Sequence, residues 1–262
     1  MRKLLVALLP VVLFSFSACS INNVAVDDSI GRFFDSAGVK GCFALYDNGS
    51  GKFTIYNLPR YRDSAYPAGS TFDIVASLIA FQSGVIKDDK AVMLVDGQSS
   101  FTLGDAFKSN GSELIFRQVE DSIGIDSLRK WTDSLHYGNR ALDKDTDAVY
   151  DGSLLIPADE QLGLIKKLYF NQLPFFRRNQ EIVRDMMNKE ENSNYKLVYK
   201  FTSVIVRDHI LCWVLGWVEE NKHPYFFVLN LDVSDPNTDV STVGIQLVKR
   251  ILPSMGFFEG KK

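Results

Sequence analysis

The order of periodicities along the chain predicts a mixed α/β sandwich: one antiparallel sheet flanked by helices, with an adjoining all-helical lobe. Two β-rich runs open the folded part, at 41–47 and 52–57, and three more close it, at 195–206, 209–219 and 225–232. Between them lies a block whose apolar residues recur with helical period. Strand groups at the two ends of a chain can pair into one sheet, leaving the middle helices to pack on it and build a lobe beside it. A cleft between sheet and lobe follows from that layout.

Residues 1–19 read as a targeting segment rather than as structure. Arg2 and Lys3 supply positive charge, Leu4 to Phe16 a short apolar run, and Ser17-Ala18 small residues before Cys19. The pattern resembles a bacterial lipoprotein signal with Cys19 as the lipidated residue, although Phe16 stands where leucine is usual. Ordinary secretory cleavage near Ala18 is the plainer alternative. Either one exports the protein to the cell envelope. Residues 20–37 are polar and read as an irregular tether, and residues 38–262 as the domain. Nothing after the leader is long enough to span a membrane, so any membrane contact is expected through an N-terminal lipid alone.

Within the domain, Asn48-Gly49 between the first two β-rich runs is a hairpin signal. From Ser70 the period changes: Ile74, Leu78 and Phe81 mark one helix face, and Gly84 ends it. Further helical patterns lie at about 102–108, 113–123, 126–135, 158–171 and 177–188, and a last one at 240–252.

Composition narrows the function. The 262 residues are 46% hydrophobic and 23% charged, with net charge −3 and interspersed signs, so no nucleic-acid partner is expected. Cys19, Cys42 and Cys212 are too few and too far apart for a disulfide framework. Cys42 and Cys212 sit in apolar runs that suit buried thiols. His136, His209 and His223 lack ligand spacing, so neither a metal site nor a cofactor is expected. Oligomeric state is not legible.

The chemistry concentrates at Ser70. A serine at a helix start lies beside unpaired backbone N–H groups, which favour developing negative charge. As a nucleophile it needs a neighbouring base. The residue one turn on is Asp73, and Ser-x-x-Asp is equally the pattern of a capping box.

The surrounding residues favour the first reading. Pro67-Ala68-Gly69-Ser70-Thr71-Phe72-Asp73-Ile74 and Ser83-Gly84-Val85-Ile86 resemble the nucleophile segment of class D β-lactamases, the oxacillinases. His136-Tyr137-Gly138-Asn139 is similar to the Y-G-N motif of that family, and Phe116-Arg117-Gln118 to the segment after its S-x-V motif. Tyr150 to Leu154 resembles the stretch that carries a tryptophan near the active site. Residues 212–219 and 225–232 resemble the two closing strands. The likeness runs in order from about residue 40 to 256. It implies the fold of serine β-lactamases and penicillin-binding proteins, with Ser70 as nucleophile.

The departures fall where the chemistry belongs. Asp73 replaces the S-x-x-K lysine, whose carbamate is the family's general base. Gly69 reads as an inserted residue. Lys200-Phe201-Thr202 stands at the K-T-G position: the lysine is kept, Phe201 replaces the hydroxyl residue that holds the substrate carboxylate, and Thr202 replaces the glycine. Phe201 is equally explained as a core aromatic. Ser203 would offer its backbone N–H to an oxyanion. Ser112 is the counterpart sought for the S-x-V serine, and Tyr137, Asn139 and Tyr150 are candidate cleft residues. No arginine opens the last helix to anchor a carboxylate.

Three readings remain open. The first is a degenerate relative binding a β-lactam or a peptidoglycan peptide in the Ser70 cleft. The second is an active serine hydrolase or acyl transferase with Asp73 or Lys200 as base. The third is a structural envelope lipoprotein.

Overall fold

The structure, a computed structural model, describes residues 23–95, 99–109, 113–142, 146–206, 209–235 and 238–262. The chain opens with β1 (Val24–Val26) and α1 (Gly31–Ala37), followed by the hairpin β2 (Lys40–Asp47) and β3 (Lys52–Tyr56). Next come α2 (Leu58–Arg62), β4 (Ala65–Pro67) and α3 (Asp73–Ser83). The lobe adds the small hairpin β5 (Val92–Val95) and β6 (Ser99–Thr102), then α4 (Leu103–Lys108), α5 (Glu113–Ile123) and α6 (Ile125–Leu135). After β7 (Leu155–Pro157) come α7 (Ala158–Tyr169) and α8 (Arg177–Met186). The chain closes with β8 (Asn188–Glu191), β9 (Lys196–Val206), β10 (His209–Glu220), β11 (His223–Val233) and α9 (Val240–Ser254).

The early and late strands form one sheet in the order β1-β3-β2-β11-β10-β9-β8. Every pair in it is antiparallel except β1 with β3. The sheet is covered on both faces, which is why β10 and β11 are almost continuously apolar. Strand alternation divides their side chains. Leu211, Trp213, Leu215, Trp217 and Phe226 enter the core shared with α3, α5 and α7. Cys212, Val214, Val218, Phe227 and Leu229 enter a second core under α1 and α9. Cys42 and Cys212 are buried free thiols, as their apolar runs suggested.

Two stretches differ from expectation. Residues 24–37, read as an irregular tether, form β1 and α1, because Ile30 and Phe34 are buried in the second core. The helix expected to reach 188 stops at Met186 and gives way to β8, whose polar Asn-Lys-Glu-Glu carries no strand signal and is set by pairing with residues 196–199. Among the described residues, β9 from Lys200 onward pairs with a strand on its β10 side only. Among the described residues no helix is long and apolar enough to cross a membrane.

Candidate functional site

Ser70 lies on a short 3-10 turn, Gly69–Thr71, that leads into α3. Three contacts seat this turn. Trp213 of β10 donates its indole N–H to the Pro67 carbonyl at 2.9 Å. The Thr71 hydroxyl donates to the Ala68 carbonyl at 2.7 Å. Gly69 takes φ +50°, and a Cβ there would stand 3.1 Å from Val204 Cβ of β9. The residue that looked inserted suits glycine for two reasons: its backbone is left-handed, and a side chain there would press on Val204 of strand β9.

Half-buried, Ser70 faces a pocket of about 310 Å³ lined also by Gly69, Glu113, Tyr150, Ser203, Val204 and Ile205. Below the turn lies a buried ionic cluster. Asp73, at the start of α3, is fully buried, and its Oδ2 accepts a hydrogen bond from Lys200 Nζ at 3.0 Å. Lys200 reaches it from β9, is 1% exposed, and donates also to the Phe107 carbonyl at 2.5 Å. Its ammonium lies 4.2 Å from the Phe107 ring centroid. Burial pushes the Lys200 amine below the ordinary lysine range, while the Asp73 charge and hydrogen bond act in the opposite sense. Among the described residues the N-cap of α3, Phe72, makes no side-chain capping bond, and the Asp73 carboxylate pairs with Lys200 instead.

A second carboxyl completes the cluster, and the sequence reading missed it. Glu120 is fully buried on α5, and its Oε1 accepts the Tyr150 hydroxyl at 3.0 Å. Burial, and secondarily the charge of Asp73, raise its pKa well above the usual carboxylate range. Burial thus favours the protonated form of Glu120, while Asp73 is the carboxylate paired with Lys200. The available signal was a glutamate on the apolar stripe of α5, four residues after Phe116 and three before Ile123. The Arg117 guanidinium stacks 4.2 Å over the Tyr150 ring and pairs with Glu113 at 2.9 Å and with Asp147.

The structure thus brings Ser70, Tyr150 and Ser203 to one pocket, with Asp73 and Lys200 joined to each other nearby. The other expected cleft residues stand elsewhere. Tyr137 is buried: its hydroxyl meets Thr71 Oγ1 at 3.4 Å, and Gln161 donates to that same oxygen at 2.6 Å. Desolvation pushes the Tyr137 phenol up. Asn139 is a turn residue, donating to the Ser153 carbonyl at 2.8 Å and accepting from Leu155 N at 3.0 Å. Phe201 is corrected to a core position on the opposite face of β9 from Lys200, among residues under α9, as strand alternation requires. Thr202 is buried, and its hydroxyl has no hydrogen-bond partner among the described residues. Ser112 and Cys19 lie outside the described residues.

The chemical reach of this arrangement is set by what holds Asp73. A general base must approach the proton it takes to about 2.6–3.2 Å, directly or through one water. The Asp73 carboxylate already carries Lys200, and among the described residues no hydrogen bond joins either group to the Ser70 hydroxyl.

This architecture, with a serine on the turn before a buried helix and a lysine strand across from it, is that of the serine penicillin-recognising proteins. The chain belongs to the penicillin-binding protein transpeptidase-domain family, whose model it matches over residues 41–252, and within it to the class D β-lactamase group. It is 31% identical to β-lactamase OXA-20 of Pseudomonas aeruginosa over 80% of this chain and 81% of that protein. It is 32% identical to the regulatory protein BlaR1 of Bacillus licheniformis over 80% of its own length, but spans only 36% of BlaR1. Among solved structures it superimposes on the class D β-lactamase YbxI from Nostoc with TM-score 0.81, at 28% identity, covering 88% of this chain and all of that one. On the C-terminal domain of the B. licheniformis BlaR penicillin-receptor the TM-score is 0.83, at 28% identity, covering 90% and 98%.

Proposed function

We propose that the protein is an exported β-lactam-recognising protein that binds a β-lactam, or the peptidoglycan peptide it mimics, in the Ser70 pocket with little or no hydrolysis. The observation that carries this reading is the Asp73–Lys200 ion pair: the side chain at the base position is occupied by the lysine of the strand. Likeness both to β-lactamases and to a penicillin-receptor domain supports a ligand of this class. The N-terminal Cys19 would carry the lipid that holds the protein at the membrane.

The competing reading, an active hydrolase, draws on Ser70 itself, which keeps its place at the pocket wall opposite β9. Incubation with a fluorescent penicillin followed by intact-mass measurement separates the two. The binding reading expects either a stable adduct, absent from Ser70→Ala, or saturable non-covalent binding without product. Steady release of hydrolysed penicillin by the wild type, lost in Ser70→Ala, would falsify it. Mass measurement of the mature N-terminus, with Cys19→Ser as control, tests the lipid.

A further inference from the structure

A second concavity, away from Ser70, is roomier than the serine pocket. It encloses about 420 Å³ between the β1–β3 edge of the sheet and helices α2 and α7. Its floor is apolar, built by Phe53 and Ile55 of β3, Leu58 and Tyr61 of α2, and Leu162 of α7. Its rim carries the cations Arg62, Lys166 and Lys167 and one acid, Asp159. Arg62 pairs with exposed Asp63 at 3.0 Å. Lys166 Nζ is held in place by the Tyr46 hydroxyl at 3.1 Å and lies 4.2 Å from the centre of that ring. Burial raises the Asp159 carboxyl above its ordinary range, with the backbone N–H groups at Glu160 and Asp159, and then Arg62, acting in the opposite sense.

Gly163 is a second, independent observation. It sits inside the twelve-residue helix α7, where glycine is less favourable than alanine. Its φ is not left-handed, and no atom lies within 4 Å of where a Cβ would stand. Neither backbone conformation nor close packing therefore asks for glycine there. Gly163, Lys167 and Gln172 also line a neighbouring cavity of about 440 Å³, so the missing side chain leaves open the wall where the two spaces meet.

We propose that this trough is a binding site for a single-chain amphiphile with a carboxylate head. The alkyl chain lies along Phe53, Ile55, Leu58 and Leu162 and extends past Gly163, and the head faces Lys166 and Lys167. Each methylene removed from water adds to the affinity, so a chain of ten or more carbons drives binding while the cations select the head. The site is separate from the Ser70 pocket and does not depend on how that pocket is used.

The test is a titration of the full chain with cis-parinarate, followed by its fluorescence. Saturable enhancement at one probe per chain is expected, displaced by decanoate and about tenfold less effectively by decanol. Gly163→Phe fills the trough and is expected to weaken the probe about tenfold or more, while Gly163→Ala retains binding. If Gly163→Phe does not fold, the rim variant Lys166→Glu with Lys167→Glu gives the same readout. Absence of saturable enhancement, equal displacement by decanol and decanoate, or unchanged affinity in the rim variant overturns the proposal.

Discussion

Lys200 Nζ and Asp73 Oδ2 lie 3.0 Å apart with both side chains out of water, joining residues 127 positions apart across the sheet–lobe boundary. Each charge is tolerable there only because the other is present.

Removing one partner should therefore be costly. Asp73→Ala is expected to lower the free energy of unfolding by about 3–5 kcal/mol, because an uncompensated ammonium stays buried. The pair Asp73→Leu with Lys200→Met is expected to recover most of that loss. Urea denaturation of the wild type, the single and the double variant checks both halves, and additive losses would show that the ion pair is not what couples them.

Asp73→Lys places two cations where one was balanced. In carbon-dioxide-free buffer it should unfold at lower urea than the wild type. Bicarbonate is expected to shift the midpoint back, because a carbamate on the new lysine restores an anion near Lys200. The comparison of midpoints with and without bicarbonate is the measurement; indifference to bicarbonate argues against carbamate formation there.

Glu120 gives the stability a defined pH dependence. Its folded pKa lies well above 4.5, its ordinary value. Below pH 4.5 both folded and unfolded states hold the proton. As pH rises beyond that point the unfolded chain releases it first, so stability falls until the folded pKa is passed, by at most about 1.4 kcal/mol per pH unit. Glu120→Gln should flatten this decline above pH 4.5. Asp47 and Asp239, each lowered to about 2, act in a more acidic window and leave the comparison clean.

Gly69→Ala should cost about 1–2 kcal/mol from its left-handed backbone alone, with more from the approach of Val204. The melting temperature should fall, and labelling of Ser70 by fluorescent penicillin should weaken with it. An alanine variant as stable as the wild type would mean that the turn relaxes freely.

Much of this fold was legible because its signals are local. Asn48-Gly49 announces the β2–β3 hairpin, and Ile74, Leu78 and Phe81 mark the buried face of α3. The opening segment was missed because Ile30 and Phe34, its deeply buried apolar residues, are too few to show a period, and β1 is set by pairing with β3. β8 was missed because its residues are all polar and its strand character comes from β9. At the site, Asp73 and Lys200 each stood out as departures or survivals of a motif, yet nothing local links them. Phe201 followed from alternation once the direction of Lys200 was known. Glu120 was visible only as a charge on an apolar stripe, a signal that gains meaning when α5 is seen against α3.

Ser203, Val204 and Ile205 of β9 border the Ser70 pocket, and among the described residues no strand pairs with β9 on the side away from β10 there, which has a consequence for recognition. An extended peptide laid against it would be gripped by main-chain amides, which are the same whichever side chains the neighbouring helix carries. Whatever the residue at position 73 does to the chemistry of Ser70, it leaves that main-chain rail unchanged.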